Sequence, residues 1–272
     1  AHIREVDAII HVVRAFNDDD ITHVSGRVDP ISDAGTIETE LALADLETLE
    51  RAIERTSKAA KTGDKKVLRE LEILKTTHEA LSNDMQIAAL LTEDEVIHAL
   101  KPLCLLTAKP VVYVANVAES ELEGNEKVEA LRKHAAEAAA QLVVVSAAIE
   151  QEISEIDPND RLSFLEDLGL EESGLDKVIR AGYELLGLQT FFTAGPKEVR
   201  AWTVRRGATA PQAAGEIHTD FERGFIRAET IAYDDFIDLK GEQGAREAGR
   251  LRLEGKEYVL SDGDIMHFRF NV

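Results

Sequence analysis

Two short stretches of this sequence carry side chains whose types and spacing could do chemistry. In the first, the apolar, β-branched run Val111-Val-Tyr-Val-Ala115 stops at Asn116, and the carboxylate of Glu119 follows three residues later. In the second, Leu142-Val-Val-Val145 stops at Ser146-Ala147. Runs of this kind read as parallel strands buried on both faces. Such strands deliver polar side chains to the carboxyl edge of an α/β sheet, where ligands bind. An amide and a carboxylate at that edge can hydrogen-bond a ligand, although an Asn at a strand end also serves simply to cap a turn.

The elements around these residues predict how they are held. Glu126–Ala140 is an amphipathic stretch, so strand, helix and strand form a βαβ unit with a right-handed crossover. Residues 2–7 read as the end of a helix feeding a further buried strand, Ala8–Val13. Phe16–Pro30 is a polar loop at that strand's carboxyl end, with an acidic run Asp18-Asp-Asp20 and His23. From Thr36 the period becomes helical, with Thr36 and Thr39 followed by acids as in a capping box, then Leu41, Leu43, Leu46, Leu49 and Ile53. Thr62-Gly-Asp64 breaks the pattern, and a second charged helix carries Val67, Leu68, Leu71, Leu74 and Leu81. The pair is either a projecting helical hairpin or two ordinary surface helices; its length and charge favour the hairpin. Leu91–Leu106 reads as further helix, and Ile149–Leu186 as mostly helical.

From Leu188 the texture changes to a small α+β domain. Its expected elements are strand Val199–Val204, a short helix over Ala213–Phe221 and strand Phe225–Ile231. Asp234–Lys240 and Gly244–Leu253 read as helical or irregular. Tyr258–Leu260 and Ile265–Phe270, joined through Ser261-Asp-Gly263, read as a closing hairpin.

Composition excludes several classes of protein. The net charge of −21 argues against broad, non-specific nucleic-acid binding, which needs cationic surface. The charge is uneven: from Leu188 onward 12 Lys/Arg face 14 Asp/Glu, a net of −2, which leaves −19 on the rest. Contact with RNA is therefore expected, if anywhere, in the last segment. One cysteine, Cys104, excludes an intramolecular disulfide framework and suits a reducing cytosol. No apolar run approaches a membrane span, and no signal peptide is visible. No Cys/His set has metal-ligand spacing, and no Ser-His-Asp order suggests nucleophilic catalysis. His11 lies mid-strand and reads as a packed core residue. His23, in a loop at the sheet's carboxyl edge, reads equally as a surface residue or as one that positions water or senses phosphate.

Asn116-Val-Ala-Glu119 resembles the base-recognition motif of GTPase-like P-loop proteins, usually Asn-Lys-x-Asp, and Ser146-Ala147 resembles the Ser-Ala signature that follows it one strand later. The resemblance implies a base pocket of Asn116, Val117, Glu119, Ser146 and Ala147. The Lys stem that normally covers the purine face is replaced by Val117. Glu119 is one methylene longer than the Asp that pairs with guanine, so relaxed or switched specificity is expected, with adenine acceptable. No Gly-x-x-x-x-Gly-Lys-Ser/Thr occurs, and Gly63-Asp-Lys-Lys66 has neither its spacing nor a preceding strand. These residues can hold a base but offer no cradle for a triphosphate, so the chain by itself is expected to be inactive.

Longer stretches resemble the YchF / Obg-like ATPase family. They include Ile3–Arg14, Asn17–Pro30, Thr39–Leu46, Leu175–Tyr183, Phe192–Trp202 and Ala210–Phe225, continuing to Phe270-Asn-Val272. The resemblance implies a parallel-sheet P-loop NTPase domain of the OBG type over residues 1–35 and 100–187, a helical hairpin insert over 36–99, and a TGS domain of β-grasp type over 188–272. It implies a cytoplasmic, monomeric, ribosome-associated ATPase that uses ATP, or GTP less well, with Mg2+. The family's phosphate loop and metal ligands precede the stretch matching Ala1, so they are expected upstream of it. The family lacks the usual catalytic glutamine, which makes His23 the candidate for that role. Arg200, Trp202, Arg205 and Arg206 are candidate RNA or partner contacts of the TGS domain, and the hairpin is a second ribosome-facing element. The alternative is a non-enzymatic adaptor with a vestigial nucleotide fold.

Overall fold

The computed structural model describes residues 2–18, 26–83, 85, 87–195 and 198–271. The chain divides into two compact units, Ala1–Leu185 and Leu186–Val272.

In the first unit, strands β1 (Ile9–Arg14), β2 (Val111–Asn116) and β3 (Gln141–Val145) form a parallel sheet in the order β1-β2-β3. Helices α1 (Pro30–Ala60), α2 (Lys65–Ser82) and α3 (Asp94–Leu100) lie between β1 and β2 in sequence. Helix α4 (Glu126–Glu137) makes the crossover from β2 to β3, followed by α5 (Ala147–Glu155), α6 (Arg161–Asp167) and α7 (Gly174–Leu185). On one face of the sheet, Val13, Tyr113, Ala115 and Val117 pack against Val128, Leu131 and Ala135 of α4 and Ala34 of α1. On the other, Val112, Val114 and Val145 pack against Ala181 of α7. That second face continues onto β1, because Ile10 and Val12 are in register with Val112 and Val114, but there they stay exposed. Parallel sheets are normally covered on both faces, so this strip and the unpaired side of β1 are open surface. Among the described residues no helix is long and apolar enough to cross a membrane.

The helical hairpin forms, and it starts earlier than expected. Asp29 caps α1 by accepting from Ser32 N at 3.2 Å, and Pro30 occupies the first turn, where its missing N–H costs nothing. Thr36 and Thr39 are not caps: their hydroxyls donate to the carbonyls of Ser32 and Gly35 inside the helix. Asp64 caps α2, accepting from Lys66 N at 2.8 Å. Leu49 and Ala52 of α1 meet Ile73, Leu74 and Leu81 of α2; of the residues read as apolar stripes, Leu49, Leu74 and Leu81 are buried here, whereas Leu43 and Leu68 point to solvent. The stretch expected as helix from Leu91 to Leu106 is shorter, only α3 with flanking 3₁₀ turns.

The second unit has a five-stranded sheet of β4 (Leu188–Ala194), β5 (Val199–Arg205), β6 (Phe225–Ile231), β7 (Arg252–Glu254) and β8 (Ile265–Phe270), in the order β5-β4-β8-β6-β7. Helices α8 (Ala210–Ile217), α9 (Thr219–Arg223), α10 (Tyr233–Asp238) and α11 (Glu242–Glu247) connect the strands. The sheet grips α8: Phe191, Val204, Ala228, Met266 and Phe268 bury Ala210, Ala213 and Ala214. This is the α+β, β-grasp arrangement. The closing hairpin does not form. β8 inserts between β4, to which it is parallel, and β6, to which it is antiparallel, while Val259 makes only an isolated bridge to Thr209. Strand β4 was not among the expected elements.

Candidate functional site

The carboxyl ends of β2 and β3 lie side by side, Asn116 in register with Val145. The strand ends are tied together in three ways. Ala15 N donates to Asn116 O at 2.8 Å, Val117 N donates to Val145 O at 2.9 Å, and Asn116 Oδ1 accepts from Ala147 N at 2.9 Å. The last bond fixes the first turn of α5, whose leading N–H groups have no intrahelical partner and carry the positive end of the helix dipole. The amide nitrogen of Asn116 remains without a partner among the described residues, as does the exposed carboxylate of Glu119, which opens a short 3₁₀ turn.

Ser146 ends β3 and has the extended backbone of an N-cap, yet its side chain makes no capping bond. It is 1 % exposed, and its Oγ has no hydrogen-bond partner among the described residues. An unpaired buried hydroxyl costs about 1–3 kcal/mol, so a polar ligand atom at this point would relieve it. Ser146→Ala is therefore expected to raise the unfolding midpoint slightly without ligand and to weaken nucleotide binding in the intact protein. A lowered midpoint with unchanged affinity would count against a ligand role.

Val117 is placed differently from its expected role over the purine face. It is 3 % exposed and packed with Val13, Ala115 and Val128. The residue after a strand's last member alternates inward here, so its side chain holds the loop down from below. Glu150 of α5 accepts from Gly174 N at 2.6 Å and Leu175 N at 3.0 Å, which caps α7 and ties it to α5. His23 lies outside the described residues. Among the described residues, no group of three or more His, Cys, Asp or Glu could hold a metal ion.

The structure also assembles a cluster not singled out as a site. His11 is in register with Tyr113, their rings 5.3 Å apart. Tyr113 Oη donates to Glu38 Oε1 of α1 at 2.5 Å, and His134 Nε2 of α4 lies 2.8 Å from the same oxygen. Burial alone would raise the Glu38 carboxyl. The hydrogen bonds from His134 and Tyr113 and the charges of His134 and His11 outweigh it and hold Glu38 below the usual carboxylate range. Burial lowers His11, with Glu38 opposing and His134 adding to it. Burial and Glu38 push the Tyr113 phenol well up. Strand register was the signal that could have joined His11 to Tyr113.

In the second unit, Trp202 is half-buried, lies parallel to Phe191 and donates from Nε1 to Thr193 Oγ1 at 2.9 Å. The Arg200 guanidinium lies over its ring, 4.1 Å from the centroid. Arg205 and Arg206 are exposed, and Arg206 Nε donates to Leu188 O at 3.2 Å. The three arginines lie on or just past the edge strand β5, and Trp202 is the apolar footing of Arg200.

The family model YchF-GTPase_C, described as a protein of unknown function (DUF933), matches residues 188–271. The protein called Ribosome-binding ATPase YchF of Haemophilus ducreyi is 58 % identical over 272 residues, which cover all of this chain and 75 % of that protein. That of Bacillus subtilis is 56 % identical over 275 residues, with the same coverage. This chain belongs to the YchF family. Obg-like ATPase 1 of Rattus norvegicus is 41 % identical over 278 residues, covering all of this chain and 70 % of that one. The solved structure of the Schizosaccharomyces pombe YchF GTPase matches with a TM-score of 0.84 at 37 % identity, covering 98 % of this chain and 73 % of that one. The fold is thus that of a YchF protein: an α/β unit on a parallel sheet followed by a second unit with its own sheet.

Proposed function

We propose that the protein is a ribosome-associated, cytoplasmic ATPase of the YchF type, and that the edge formed by Asn116, Glu119, Ser146 and Ala147 holds the base of its nucleotide. The observation that carries this reading is the Asn116 Oδ1–Ala147 N bond beside the orphaned Ser146 Oγ. Together they leave an amide, a carboxylate, a hydroxyl and helix N–H groups unspent at the one sheet edge where α/β proteins bind ligands. Val117 supports this pocket from beneath. The names of the relatives support both the ATPase activity and the ribosome as partner.

In this proposal the triphosphate and its Mg2+ are held by residues outside those described. The open strip of Ile10 and Val12, with Leu175 and Ile179 of α7 also exposed, is room for a further layer over β1. Magnesium, when bound, would neutralise phosphate charge. The described residues contribute the base contacts only. His23 remains the candidate for orienting water, residues 36–99 are the insert, and residues 188–272 act as a TGS domain that offers Arg200, Arg205 and Arg206 to RNA.

The test is a titration of the intact protein with ATP and GTP. ATP is expected to bind at least as well as GTP, and a clear GTP preference would sink the assignment of Glu119. Glu119→Asp is expected to move preference towards guanine, because the shorter acid can reach the two adjacent donors of that base. Residues 1–272 alone should show no hydrolysis, whereas the intact protein should hydrolyse ATP; an intact protein without activity would favour the adaptor reading.

A further inference from the structure

Three elements of the first unit meet at one carboxylate oxygen, and a fourth flanks them. Glu38 sits two turns into α1, the helix that opens the hairpin. Its Oε1 is shared by Tyr113 of β2 and His134 of α4, and Tyr113 is flanked by His11 of β1. His134 also meets the Tyr113 ring edge-on, 5.6 Å between centroids. Tyr113 is 3 % exposed and lies three residues before Asn116 on the same strand. The base-presenting strand is thus pinned directly to the root of the hairpin. Ordinary packing of α1 on the sheet, through Ala34, needs no such polar group.

We propose that Glu38, Tyr113 and His134, with His11 beside them, form a proton-sensitive latch that couples the root of the helical hairpin to the strand presenting Asn116. Glu38 is a positioning residue that acts on Asn116 through Tyr113. Released, α1 would lose this polar anchor on the sheet and Tyr113 would lose its tie to the hairpin. A shared charge-assisted oxygen suits a latch, because its loss leaves the buried Tyr113 hydroxyl without its acceptor.

The charged groups facing the latch are few. Glu38 is met by His134 from α4, Tyr113 from β2 and His11 from β1. His134 also borders a groove of about 530 Å³, where Lys133, Glu129 and Glu137 lie. His134 can donate from Nε2 whether neutral or charged, so that bond survives a change of proton. His11 differs, since its buried setting disfavours the charged form. Its latched value lies below its free value, about 6.5. The released state therefore takes the proton first. The latch is at full strength above pH ~6.5 and weakens as the pH falls from there through the lower latched value. Glu38 is shifted the same way but from a lower starting value, so its own contribution is lost only in more acid solution.

Hydrogen–deuterium exchange of the intact protein, without nucleotide and corrected for intrinsic rates, tests this. Tyr113→Phe should speed exchange in residues 31–40 and 116–121 together by on the order of tenfold, the loss expected for one charge-assisted bond. Wild-type protection of residues 31–40 should fall between pH 7.5 and 5.5, and His11→Gln should abolish that fall. A response in only one of the two segments overturns the proposal. So does a uniform rise across residues 1–185, which would mark a merely structural role, or a pH response that persists in His11→Gln. Because no nucleotide is present, the latch stands or fails separately from the base-site reading.

Discussion

Replacing Asn116 by alanine should lower the nucleotide affinity of the intact protein by about two orders of magnitude while shifting its unfolding midpoint only slightly. Two losses combine. The amide nitrogen facing the edge is removed, and the bond from Ala147 N to Oδ1 at 2.9 Å is broken, which frees the first turn of α5. Each is a hydrogen bond of about 1–1.5 kcal/mol, and 1.4 kcal/mol is a factor of ten in binding. The strand itself should persist, because Val112, Tyr113, Val114 and Ala115 remain buried and paired to both neighbours. Calorimetric titration with ATP measures the first effect, and thermal unfolding the second. Unchanged affinity would remove Asn116 from the site.

Asp45→Ala is the change with the largest expected cost in stability. Asp45 is completely buried on α1. It accepts from Arg4 Nη1 at 2.9 Å, from Thr107 N at 2.8 Å and from Thr107 Oγ1 at 2.9 Å. Arg4 also donates to the carbonyls of Ala44 and Cys104. One carboxylate thus joins the segment before β1, the hairpin and the loop before β2. Removing it takes the carboxylate from a guanidinium that is 27 % exposed and leaves the Thr107 N–H unpaired, at about 1–3 kcal/mol. Denaturant unfolding should show the transition of the first unit moving to lower concentration while that of the second unit holds. A loss under 1 kcal/mol would mean that water and the carbonyls of Ala44 and Cys104 satisfy Arg4 without the carboxylate.

Much of the architecture was legible in the residues. The strands ending at Asn116 and Val145 are apolar on both faces, and only a parallel sheet covered on both sides makes that pattern favourable. The hairpin was legible because its leucines recur at helical spacing over many turns. Its start was not: Asp29-Pro30 is a strong first-turn signal, but it is embedded in a polar stretch that reads as loop, and Thr36 and Thr39 mimic a cap further on. Strand β4 was missed because Gln189 interrupts its apolar pattern. In the fold that side chain is buried and donates to Leu260 O at 3.0 Å.

The candidate site divides along the same line. By itself the sequence determined that Asn116, Glu119 and Ser146-Ala147 stand at strand ends. It also determined the family, because side-chain order along a chain carries both kinds of information. Only the tertiary structure decided what each side chain faces. It turned Val117 inward, left the Ser146 hydroxyl unpaired and brought Glu38, Tyr113, His134 and His11 together from four separate elements. The same holds for β8, whose partners are β4 and β6 rather than the adjacent Tyr258–Leu260. Periodicity reports which face of an element is apolar; the partner on that face is set by long-range packing, and local sequence does not encode it.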